Sequence, residues 1–142
     1  MRLAILLILL AAASVYAFRR GGKAEKQIAI ILVAIQLLDL SYHHLLGFES
    51  RYGHVDAWHA FNDGWALLAT LWVALTANRF WPLWIAAFQV MACLAHYVRL
   101  IDPEAPVLTY SIMIRAPLWF QVAILAFGTW NFARKRRAAS LT

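Results

Sequence analysis

Five long apolar segments, separated by short polar stretches, constrain this chain more than anything else in it. They lie at about 3–18, 28–47, 57–77, 83–99 and 112–130, each near the roughly 17–25 residues that a membrane-crossing helix needs. The apolar composition agrees: 63% of residues are hydrophobic, and only 14% are charged against about 25% in soluble domains. Lipid offers no partner to open backbone groups, so segments of this length are expected to be helices. The sequence therefore predicts an all-α integral membrane bundle of about five transmembrane helices. All 142 residues are expected to form a single transmembrane helical domain, with a basic tail over 131–142.

The first segment has a rival reading. Met1-Arg2, a leucine-rich stretch and small residues ending at Val15-Tyr16-Ala17 also resemble a secretory signal peptide. Cleavage after Ala17 would leave Arg19, Arg20, Lys23 and Lys26 outside, against the positive-inside tendency, whereas a retained helix puts them inside. Retention is the reading adopted.

Loop charges set the expected orientation. Arg19, Arg20, Lys23, Lys26, Arg79, Arg134, Lys135, Arg136 and Arg137 share one side, nine of the thirteen basic residues. The other side holds Arg2, Arg51 and Arg99, with Arg115 just inside the fifth segment. The rule places the amino terminus outside and the carboxy terminus in the cytoplasm, in a multi-pass inner-membrane protein. The same clusters point to contacts with anionic lipid. They carry no nucleic-acid reading motif, so no nucleic-acid partner is expected. Small residues at Ala11, Ala12, Ala13 and Ser14 suit close helix approach, within the chain, to another membrane protein or in a homo-oligomer. A single cysteine, Cys93, excludes an internal disulfide.

The candidate site lies in the outer halves of the segments. Gln36, Asp39 and His43 recur at i, i+3 and i+7 on the second segment, and His59, Asn62 and Asp63 at i, i+3 and i+4 on the third. Each set lies on one helix face. The chain reverses between them, so each aspartate falls roughly 9–12 Å below the outer end of its helix. Gln89, Cys93 and His96 form a third stripe, and Arg115 lies roughly 4–5 Å inside the fifth segment. Charged groups in lipid pair with one another or mark function.

Asp39, His43, His59 and Asp63 are therefore read as the candidate ligand-binding or metal-binding residues, with His96 and Arg115 as supporting members. Imidazole and carboxylate together suit a divalent metal. A bis-histidine haem joining His43 or His44 to His96, and a one-sided pocket for a quinone or small polar ligand, are alternatives. A purely structural ion-pair network in an accessory subunit is another. A full transmembrane proton relay is disfavoured, because the inner halves lack matching ionisable groups. His44, about 100° around the helix from His43, and His54, in the outer loop, are expected to matter less. No catalytic residue or reaction is legible, and a non-enzymatic role is favoured. A stripe of Trp58, Trp65 and Trp72 is read as packing or lipid-facing.

Overall fold

A computed structural model describes residues 2–46, 57–102, 104 and 106–140. They form five α-helices: α1 (Arg2–Arg20), α2 (Lys23–Leu46), α3 (Ala57–Thr76), α4 (Trp81–Ile101) and α5 (Val107–Ala139). Two glycines separate α1 from α2, and the turn leaves no room for side chains. A Cβ on Gly21 would lie 2.5 Å from the Ala17 carbonyl oxygen and 2.6 Å from the Glu25 Cβ. Glu25 then reaches back, accepting a hydrogen bond from the Gly22 backbone N–H at 2.9 Å. That is the acidic half of a capping box and satisfies one of the donors exposed at a helix start. Asn78 ends the α3 exit with φ of 49°, a left-handed conformation that asparagine tolerates after a helix.

The helices pack in chain order as a ring, with α5 returning to α1 and a further contact between α2 and α5. α1 thus seats in the groove between α2 and α5, while α2, α3, α4 and α5 enclose a four-sided space. One end of the bundle is tied by a partly buried ion pair. Glu25 is fully buried and accepts a hydrogen bond from Arg79 Nη1 at 3.1 Å. The Arg79 guanidinium lies 4.6 Å from the centre of the Phe132 ring. The turn after α1, the start of α4 and the late part of α5 therefore meet there, which brings the basic stretches around 19–27, 78–82 and 131–137 to the same end.

Small residues join Ile28, Leu32, Ile85 and Leu125 in the interior, while many large apolar side chains face outward. Ala17, Ala29, Ala66 and Ala95 are completely buried, whereas Ile8, Leu68, Leu75 and Leu100 are more than half exposed. This distribution suits helices packed in lipid, where small residues permit close approach and the outer surface has no water to avoid. Among the described residues, three helices are long and apolar enough to cross a membrane: Leu3–Arg20, Trp81–Ile101 and Leu108–Ala139. The set leaves out α2 and α3, whose adjoining halves carry Asp39, His43, His44, His59, Asn62 and Asp63.

α5 departs most from its expected bounds. It begins at Val107 and continues through the basic tail to Ala139, with Pro117 inside it. Hydrophobicity ends near residue 130, but alanine, arginine and lysine are strong helix formers and carry the helix onward. Closer to its middle, Gly128 meets the Trp81 ring: a Cβ there would lie 2.7 Å from Trp81 Cδ2. Gly128→Ala is expected to push α5 off α4 and destabilise the bundle by about 1–3 kcal/mol, the range of an overpacked core. Unfolding in mixed micelles by increasing SDS checks this; unchanged stability would show that the contact yields freely.

Candidate metal centre

The packing of α2 against α3 brings three ligand-type side chains to one point. Asp39 and His43 lie one turn apart on α2, so their side chains share a face. His59 enters from the first turn of α3. His59 Nε2 stands 2.9 Å from Asp39 Oδ1, His43 Nε2 stands 3.7 Å from the same oxygen, and the two Nε2 atoms are 3.2 Å apart. These are the three residues, among those described, whose ligand atoms lie close enough together to hold a metal ion. Each is between a quarter and a third exposed, so the point is reachable. Tyr42 flanks it, stacked on Trp58 at 5.3 Å and edge-on to both histidines.

A neutral imidazole nitrogen either donates or accepts, so His59 Nε2 can donate to Asp39 or accept from His43, but not both. A cation at the centre would instead let all three atoms direct lone pairs at one positive charge. The spacing fits such an ion: ligand bonds of about 2.0–2.1 Å in tetrahedral geometry separate the ligand atoms by about 3.3 Å, and the three observed distances bracket that value.

Asp63 belongs to a different set of partners. It lies one turn below His59 on α3, and its carboxylate is taken by α4: His96 Nε2 is 3.0 Å from Oδ2, and Gln89 Nε2 donates to Oδ1 at 2.9 Å. The other His96 nitrogen is 3.2 Å from the Tyr110 hydroxyl on α5. Gln121 on α5 donates to Gln89 Oε1 at 2.9 Å and to the Ile85 carbonyl at 3.2 Å. His96, Gln89 and Gln121 are all buried. Both ring nitrogens of His96 are engaged here, which speaks against its use as an axial haem ligand. The four-residue set Asp39, His43, His59 and Asp63 is thus divided into a triad between α2 and α3 and a buried network from α3 through α4 to α5. Asn62 ties α3 to α2, donating to the Ile35 carbonyl at 3.1 Å and accepting from Trp65 Nε1 at 2.8 Å.

Both sets border one cleft of about 720 Å³, which also reaches Gln36, His44 and Arg115. Arg115 is exposed, at the edge of that cleft. His54 lies outside the described residues. The tryptophan stripe splits into separate environments: Trp58 stacks on Tyr42, Trp65 packs on the core and Trp72 is more than half exposed. Tyr110 and Gln121 were not among the expected site residues. A lone glutamine within an apolar segment was the available signal for Gln121.

Fold and site together define an all-α five-helix bundle with three candidate membrane spans among the described residues, in which Asp39, His43 and His59 could hold a metal ion. Comparison with protein-family models, curated proteins and solved structures found no match.

Proposed function

We propose that this chain is a multi-pass inner-membrane protein that binds one divalent metal ion on Asp39, His43 and His59, near its outer surface. Its whole length, residues 1–142, acts as one transmembrane helical domain with the amino terminus outside and the carboxy terminus in the cytoplasm. The observation that carries the metal reading is the convergence of two imidazole nitrogens and one carboxylate oxygen within 3.7 Å of one another. Two nitrogens and an oxygen suit zinc, with iron as the redox-active alternative for a two-histidine, one-carboxylate set. Three protein ligands leave at least one position for an exogenous group, and the cleft lies beside it.

The end of the bundle that holds the Glu25–Arg79 pair supports the orientation. The nine basic residues counted on one side come together there, and positive charge collects on the cytoplasmic face. A phosphatase reporter fused to Thr142 should be inactive; activity would reverse the orientation.

The Asp63–His96–Gln89–Gln121 network supports a structural role for the remaining polar groups. Every link in it has a donor and an acceptor, so it can fix α3, α4 and α5 without a ligand.

Elemental analysis of protein purified in mild detergent tests the metal reading. One equivalent of metal per chain is expected, and cobalt substitution should give the visible absorption of a tetrahedral site. Absence of stoichiometric metal after loading, with helicity intact, would overturn it.

A further inference from the structure

We infer that the cleft beside the metal centre receives an amphiphile from the bilayer, its oxyanion head reaching the metal and its hydrocarbon chain lying against α1 and α5. This deepens the metal-binding reading and rests on it. The cleft lining mixes two chemistries. α2, α3 and α4 supply Asp39, His43, His59, Asp63 and Gln89, whereas α1 and the start of α5 supply Leu3, Leu6, Leu108, Ile112 and Ile114 beside Ser111 and Arg115. A ligand matched to both needs a polar head and an apolar body.

Three further observations narrow the occupant. The cleft volume of about 720 Å³ falls within the roughly 300–1,000 Å³ of small-molecule sites, which suits one lipid-like molecule. Leu3, Leu108 and Ile112 line the cleft while remaining more than half exposed, so its apolar side runs directly into the outer surface that lipid would cover. Electrostatics selects the head. A divalent ion held by one carboxylate and two neutral imidazoles keeps one positive charge, which the Asp63 carboxylate, hydrogen-bonded by His96 and Gln89, balances within the cleft. Arg115 at its edge adds a further positive charge. An anionic oxygen donor completes the ion's coordination and offsets that charge.

The test uses the full-length protein in detergent, loaded with zinc, and palmitate carrying a terminal fluorophore. Saturable binding is expected. The methyl ester of the same probe should bind about tenfold more weakly or worse, because it loses the anionic head. Asp39→Asn should lose both the metal and a comparable factor in palmitate affinity. Ala116→Trp, which adds bulk to the apolar side of the cleft, should keep the metal and lose the palmitate. Unlabelled palmitate should displace the probe, whereas acetate and inorganic phosphate should not at equal concentration. Equal binding of acid and ester would overturn the oxyanion head. Displacement by acetate or phosphate as effective as by palmitate would assign the site to a ligand from water. Unchanged palmitate affinity in Ala116→Trp would remove the chain from the cleft. Metal content is measured in every sample. A wild-type protein that never loads metal therefore defeats the earlier reading, while a metal-loaded protein that ignores palmitate defeats this one.

Discussion

His59→Ala should abolish stoichiometric metal binding while leaving the five helices assembled. His59 is the ligand that α3 brings to the pair on α2, and its Nε2 makes the shortest of the three contacts, 2.9 Å to Asp39. Without it, Asp39 and His43 remain as a two-ligand fragment on one helix. Loss of a partner that merely orients a ligand typically lowers metal affinity about 10–100-fold. Loss of a direct ligand should exceed about a hundredfold on the same scale. The fold should survive, because the triad is partly exposed and the α3–α4 and α4–α5 packing does not involve it. Competition with a chromophoric zinc chelator measures the affinity, and circular dichroism confirms the helices. Wild-type affinity in His59→Ala would remove this histidine from the metal site.

Arg79→Ala should be among the most damaging single changes to the bundle, with an expected cost of about 3 kcal/mol, the lower end for breaking a buried ion pair. The asymmetry of the pair decides this. Glu25 is completely buried, while Arg79 is about one-third exposed. Removing the arginine strands a carboxylate in the interior with the Gly22 N–H as its donor, and it also removes the cation over the Phe132 ring. Removing the acid leaves a guanidinium that can turn toward water. Glu25→Gln should therefore cost clearly less than Arg79→Ala, and the double variant should recover part of the loss. SDS-induced unfolding of all three variants measures the cycle. Additive effects would show that the two side chains do not act as a pair.

The sequence made the helices legible because each apolar segment is long and bounded by charge or glycine. It made the triad legible for a local reason: Asp39 and His43 are four residues apart, and a reversed neighbour brings His59 to the same depth. Asp63 was harder. Depth along a helix can be counted from sequence, but the neighbour that a face turns toward depends on the order of packing. His59 and Asp63 lie one turn apart on α3, yet the first meets α2 and the second meets α4. Glu25 was hidden for another reason. It sits among Lys23 and Lys26 and reads as part of a solvated basic loop. Its position three residues after Gly22, at the start of a helix, was the signal that it reaches back to the backbone. The tail beyond residue 130 was read by its charge, although charge and helical order are independent here.

That extended α5 has a consequence for how the molecule sits in a membrane. Its 33 residues give a rod of about 50 Å, against a hydrocarbon thickness of about 30 Å. The surplus cannot all be accommodated in the oily layer. Arg134, Lys135, Arg136 and Arg137 follow one another at about 100° steps, so they encircle the rod instead of marking one flank. In a bilayer, such a collar would meet phosphate headgroups from any direction. It would set the vertical position of α5 without setting its azimuth, leaving its rotation to the contact of Trp81 with Gly128.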